Sequence, residues 1–159
     1  SKRRTQDSIT TIALKDNLKE ELQQLKQNNK YIVLDVAGRD SAEFRSALLT
    51  ADVLIIPTQP SQTDIEVLPF VLSLVNTAKQ VNKNLKTFVV LNKAPTNNKS
   101  TEIDAALELL QQVKSVKTLN TILRDRKQFR DAMIEGKSVL EMGSSKAKDE
   151  LNEFLVEIL

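Results

Sequence analysis

Residues 31–38, Tyr-Ile-Val-Leu-Asp-Val-Ala-Gly, constrain this chain more than any other stretch. Four apolar or aromatic residues run straight into Asp35, and Gly38 follows three positions later. An apolar run without alternation suits a strand covered on both faces, as in a parallel α/β sheet. An aspartate at the carboxyl end of such a strand lies on the rim where open α/β folds bind ligands. There it can hold a hydrated Mg²⁺, which keeps most of its waters and takes one or two carboxylates. Gly38 lets the backbone approach a phosphate more closely than any side chain would allow. The same residues also fit a plainer role, in which Asp35 caps the helix that begins near Ser41 and Gly38 makes a turn.

The rest of the chain repeats the strand-then-helix order. Buried-strand patterns recur at Val53–Ile56, Thr87–Leu91 and Leu119–Leu123, besides Tyr31–Val36. Helical spacing marks Asp16–Gln27, Ser41–Thr50, a long stretch from Thr63 or Asp64 to about Lys83, Thr101–Val113, Arg124–Glu135 and Ala147–Leu159. Ser8–Leu14 is β-branched and reads as a short edge strand. Pro57 is expected to stop its strand, and Pro69 to delay or kink the long helix. Gly136 ends the helix before it. Alternation of this kind predicts an α/β fold, a mainly parallel sheet with helices on both faces, in one domain covering 1–159. Asp35, Pro57, Asn92 and Arg124 each sit where a strand ends, so they are expected along one sheet edge. Asn92 and Lys93 follow the third strand, where an Asn amide offers both a donor and an acceptor to an adenine edge. Alternatively, Asn92 is only a turn residue ahead of Pro95.

Composition removes several chemistries. The chain has no cysteine and no histidine, so thiolate zinc sites, Ser-His and Cys-His catalysis are excluded from these residues. Aromatic residues are 4% of the chain, too few for a base-stacking platform. No apolar run approaches the roughly 20 residues of a membrane span. The net charge of +2 is unevenly spread. Residues 114–148 carry nine basic and four acidic side chains, whereas 149–159 carry four acids and no base. The basic stretch is either ordinary solvated surface or a footprint for a polyanion. In the second case Lys114, Lys117, Arg126, Lys127, Lys146 and Lys148 would read DNA backbone without regard to sequence.

A rim aspartate of this kind belongs to the Walker B arrangement of P-loop nucleotidases, in which it orders Mg²⁺. Yet the matching phosphate loop, G-x-x-x-x-G-K-[ST], is not present, and the three glycines, Gly38, Gly136 and Gly143, cannot build it. Five segments nevertheless carry a specific likeness. They are Tyr31–Gly38; Ala51–Pro57; Pro60-Ser61 with Asp64; Val89–Lys93; and Arg130–Met133 with Gly136, Ser138, Val139 and Glu141. In that order and at that spacing, from about Gln27 onward, the chain resembles the carboxyl-terminal two-thirds of ParA/MinD-type ATPases, closest to the small plasmid-partition ParA type.

The resemblance implies ATP and Mg²⁺ as cofactors, with Asp35 ordering Mg²⁺ through water and Gly38 sensing the γ-phosphate. It implies adenine held by Asn92, with Lys93 beside it, and by backbone near Leu123 and Arg124. It further implies an ATP-dependent homodimer, non-specific DNA binding, a centromere-binding adaptor protein as partner, and a cytoplasmic, nucleoid-associated role in plasmid or chromosome segregation. The family's phosphate-loop lysine and water-orienting aspartate lie upstream, so the chain reads as amino-terminally truncated and inactive on its own. Membrane targeting of the MinD kind is not expected. The last helix sets Leu151, Phe154, Leu155 and Ile158 against Asp149, Glu150, Glu153 and Glu157, and anionic lipid repels an acidic face. Two other readings stand beside this one: a ParA-like interaction module without turnover, and an unrelated flavodoxin-like regulatory domain.

Overall fold

The computed structural model describes residues 9–14, 18–37, 40–97, 100–113 and 116–159. The chain divides into two compact units, one formed by 1–11, 55–67 and 88–159 and the other by 12–54 and 68–87. A three-stranded parallel sheet has the order β1 (Val53–Thr58), β2 (Lys86–Ala94), β3 (Lys117–Arg124). Helices α1 (Lys19–Asn28) and α2 (Ala42–Thr50) precede β1, α3 (Gln62–Lys79) and α4 (Thr101–Gln111) alternate with these strands in the expected α/β manner, and α5 (Lys127–Ile134) and α6 (Lys146–Ile158) follow β3.

In the unit formed by 12–54 and 68–87, apolar side chains at helical spacing build two adjoining clusters. Leu18 and Leu22 of the α1 region meet Ala47 of α2, and Leu25, Ile32, Leu34 and Val36 pack around them. Phe44 and Leu48 of α2 meet Val75 and Ala78 of α3 and Leu85. Ser41 caps α2 by accepting the Phe44 N–H at 3.1 Å. Two polar bridges tie helix ends across this unit. Ser46 Oγ accepts the Leu18 N–H at 2.9 Å. Asn82 Nδ2 donates to the carbonyls of Leu48 and Ala51, at 3.0 and 2.8 Å, which satisfies the last turn of α2.

Tyr31–Val36 departs from its sequence reading. It is not a strand, because among the described residues no strand pairs with it. Its burial nevertheless alternates: Ile32, Leu34 and Val36 are half-buried against the clusters, while Tyr31 and Asp35 are exposed and Val33 is 92% exposed. Side-chain packing holds one face of the segment, and a period of two results even without a ladder. Residues 9–14 likewise form no strand.

The prolines are better tolerated than expected. β1 continues through Pro57 to Thr58, and Pro57 is exposed at the strand's end, where a missing N–H matters least. α3 starts at Gln62 with Pro69 inside it. An interior proline costs about 3 kcal/mol, and burial of Leu68, Leu72, Val75 and Ala78 along one face outweighs that cost. α5 starts at Lys127 and not at Arg124, because Arg124 is the last residue of β3.

These contrasts give a stability prediction for residues 1–159. Leu48, 2% exposed, should cost about 2–5 kcal/mol when changed to Ala. Val33→Ser should stay within about 0.5 kcal/mol in the same urea titration. Equal effects of the two substitutions would contradict the one-sided burial of 31–37.

Candidate functional site

The carboxyl rim of β2 and β3, within the first unit, is where sequence reasoning and geometry meet. β2 is almost wholly buried at Val89, Val90, Leu91 and Ala94, each at 1% exposure or less, so its end is held rigidly. Leu91 pairs with Ile122 and Ala94 with Arg124, leaving one extra residue on β2 between the two pairs. A one-residue bulge kinks its strand and re-aims the side chains around it. The bulge contains Asn92 and Lys93, and Lys93 carries a left-handed φ of 52°. For a residue with a Cβ that conformation costs about 1–2 kcal/mol. Asp125 N–H then donates to the Ala94 carbonyl at 2.9 Å, joining the ends of the two strands. Asn92, Lys93, Leu123 and Arg124 are therefore brought together on one rim.

The loop after β1 ends on the same sheet. Asp64 Oδ2 accepts the Gln59 N–H at 3.0 Å, and Ser61 Oγ accepts the Asp64 N–H at 3.2 Å. Gln59-Pro60-Ser61 is thus a short closed connection between β1 and α3, preceded by the buried Thr58 at the end of β1.

Asp35 belongs to the other unit, where it is exposed. Gly38 lies outside the described residues, as does Lys114. Among the described residues no cluster of three or more His, Cys, Asp or Glu could hold a metal. A lone exposed carboxylate still suits Mg²⁺, which is held by one or two carboxylates, its own waters and substrate phosphates.

Of the basic candidates, Lys117, Lys127 and Lys146 are exposed. Lys117 Nζ sits 5.6 Å from the Phe88 ring centre, and Lys127 pairs with Asp131 at 3.4 Å. Lys148 Nζ donates to the Met142 carbonyl at 3.2 Å. Arg126 turns inward, to Glu150 at 2.6 Å.

Two carboxylates that read as solvent-facing acids in the sequence organise this rim. β3 carries two extra residues between Thr118, opposite Val89, and Ile122, opposite Leu91. That bulge turns the successive N–H groups of Asn120 and Thr121 toward α6. Glu157 accepts both, at 2.9 and 3.0 Å, together with Asn120 Nδ2 and the Thr121 hydroxyl. Two turns earlier on α6, Glu150, 8% exposed, accepts the Arg124 N–H at 3.2 Å and the guanidiniums of Arg124 and Arg126 at 3.2 and 2.6 Å. Their seven-residue spacing on one helix face was the available signal, and it reads as an acidic solvent face until β3 is placed beside it.

A rim of parallel strands carrying a bulged Asn-Lys pair, on an α/β fold with helices between the strands, is a P-loop NTPase-like architecture. The family model described as AAA domain matches residues 4–90, more than half of the 159 residues. The chain belongs to that family, in its ParA/MinD-like P-loop group. It is 28% identical over 135 residues to the "Maintenance of carboxysome distribution protein A" of Halothiobacillus neapolitanus, an alignment covering 83% of this chain and 61% of that protein. It is 24% identical over 135 residues to the "Sporulation initiation inhibitor protein Soj" of Bacillus subtilis, covering 83% of this chain and 52% of Soj. The chain thus spans between half and two-thirds of the length of these relatives. Among the described residues no helix is long and apolar enough to cross a membrane.

The rim carboxylates make acid stability testable. Burial raises the Glu150 carboxyl, but hydrogen bonds and charge from Arg126 and Arg124 outweigh it and hold the group below its ordinary 4.5. Burial likewise raises Glu157, and the N–H groups of Asn120 and Thr121, with Lys117 nearby, bring it below the same value. A carboxyl lowered in the folded state contributes stability above its unfolded value and loses it as pH falls through the folded one. Unfolding free energy should therefore decline as pH drops below 4.5. Glu150→Gln with Glu157→Gln should flatten that decline in urea titrations run across the acid range.

Proposed function

We propose that this chain is part of a partition-type ATPase that binds ATP with Mg²⁺, pairs with a second copy in the ATP state, and then holds DNA non-specifically. The observation that carries the reading is the bulged Asn92-Lys93 rim joined to the end of β3, in a chain of the ParA/MinD-like family. The reaction would be phosphoryl transfer to water, which depends on positioning and charge neutralisation more than on covalent chemistry. Asp35 would hold Mg²⁺ through water, supplying charge neutralisation at the phosphates. Gly38 would sense the γ-phosphate, and Asn92, Lys93 and backbone near Leu123 and Arg124 would hold adenine. These 159 residues carry no phosphate-loop sequence, so a nest of backbone N–H groups and its lysine would have to come from upstream chain. A centromere-type adaptor protein would stimulate turnover in a cytoplasmic, nucleoid-associated assembly.

Calorimetry with Mg²⁺-ATP tests this directly. Residues 1–159 made alone should neither bind ATP tightly nor hydrolyse it. The protein with a phosphate loop should bind and turn over, and Asp35→Ala should lower its turnover by about a hundredfold or more. Micromolar binding by residues 1–159 would show that the site is complete without any further segment.

DNA binding is tested on exposed cations, since Arg126 is already paired within the fold. In the ATP-bound protein, Lys117→Ala, Lys127→Ala and Lys146→Ala together should weaken binding to unrelated duplexes about equally. The slope of log affinity against log salt should fall by roughly one for each phosphate that the variant no longer neutralises. An unchanged slope would return these lysines to solvated surface.

A further inference from the structure

The buried carboxylate of Glu150 has no part in the reading above, yet it holds the turn on which base recognition would depend. We infer that Glu150 is a positioning residue for nucleotide selectivity: it sets the Leu123–Arg126 turn so that the end of β3 faces a base in one geometry. This inference rests on the nucleotide reading of the rim and assigns that rim a regulator of its selectivity.

The turn has few internal constraints. Arg126 N–H donates to the Arg124 carbonyl at 2.8 Å, and Asp125 N–H to the Ala94 carbonyl at 2.9 Å. Arg126 occupies the cap position of α5 without a side-chain cap bond. Phe129 N–H donates to the Arg126 carbonyl at 3.2 Å, Arg130 pairs with Asp125 on the exposed side, and a further, buried constraint comes from α6. One Glu150 oxygen accepts the Arg124 N–H, and the other accepts both guanidiniums. Two cations thus converge on one anion, with side-chain exposures of 21% and 17% for the arginines and 10% for Glu150. Removing one partner of a buried ion cluster is costly because the remaining charges are left uncompensated. Here the remaining charges are like-signed and nearly adjacent in sequence, so loss of Glu150 would push Arg124 and Arg126 apart and open the turn. The Nε atoms of both arginines are buried without a hydrogen-bond partner, so neither guanidinium has a second anchor at that atom to hold it in place. Arg124 N–H also has its acceptor in Glu150, so the backbone at the end of β3 is held from α6 as well as from within the turn.

Glu157 supplies the control. It grips β3 from the same helix with four hydrogen bonds, but at Asn120 and Thr121, away from the turn. The experiment measures affinity for ATP and for GTP in the full-length protein carrying Glu150→Gln, Glu150→Asp or Glu157→Gln, with circular dichroism as a check on folding. Glu150→Gln should lower the ATP-to-GTP preference by about tenfold, the scale of one well-placed hydrogen bond. Glu150→Asp should restore part of it, and Glu157→Gln should leave the ratio unchanged while lowering stability. An unchanged ratio in Glu150→Gln, or an equal change in Glu157→Gln, overturns the inference while leaving the nucleotide reading intact. Absence of nucleotide binding by the unaltered full-length protein overturns the reading itself, and the inference with it.

Discussion

The grip of α6 on the outer side of β3 is the interaction on which the first unit depends. β3 is the last strand of its sheet, and an edge strand exposes N–H groups that need acceptors. Glu157 and Glu150 supply them with side chains in place of another strand, at Asn120, Thr121 and Arg124. The helix can do this because its two carboxylates are seven residues apart and lie on one face. Its apolar residues complete the attachment, with Ala147 and Leu151 meeting Ala132, Val139, Phe129 and Met142. The short turn Val139–Glu141 between α5 and α6 is fixed by reciprocal bonds: Ser138 Oγ accepts the Leu140 N–H, and Glu141 accepts the Ser138 N–H. Both ends of the rim's support are thereby closed.

Much of this was legible in the sequence, and for physical reasons. Val89, Val90 and Leu91 are fully buried, and their apolar run reads as a covered strand that the sheet then pairs. Ser41 and Gly136 mark helix ends through local backbone chemistry, a cap bond and a φ of 68°, that no distant residue needs to assist. Asn92, Lys93, Leu123 and Arg124 meet because parallel strands of similar length end together. Arg130–Met133 with Gly136 carries the family likeness and falls in the first unit as a continuous helix and its stop.

What was not legible depended on partners distant in sequence. Tyr31–Val36 has the composition of a central strand, but a strand exists only where another supplies its ladder, and composition does not report that. Glu150 and Glu157 look like solvent-facing acids because their partners, the end of β3 with Arg126 and the bulge at Asn120 and Thr121, leave no mark in a hydrophobicity pattern. Arg126 looked like a free surface cation for the same reason. The prolines departed in the opposite direction: Pro57 did not stop β1, and Pro69 did not delay the start of α3, where burial of four apolar side chains offsets its cost.

The two irregularities along β2 and β3 differ in number, and the number has a consequence for how this chain can change over evolutionary time. The β3 insertion is two residues, an even count, so side chains before and after it keep their inside and outside assignments. The β2 insertion is one residue, an odd count, placed where the strand is about to end. Deletion of a single codon between Leu119 and Thr121 would therefore exchange the two faces of everything from Ile122 to Arg124, whereas loss of two codons would shorten the strand and spare its facing. Length variation among natural variants of this strand should come in pairs. At the end of β2 single steps are tolerable, because few paired residues remain to be inverted.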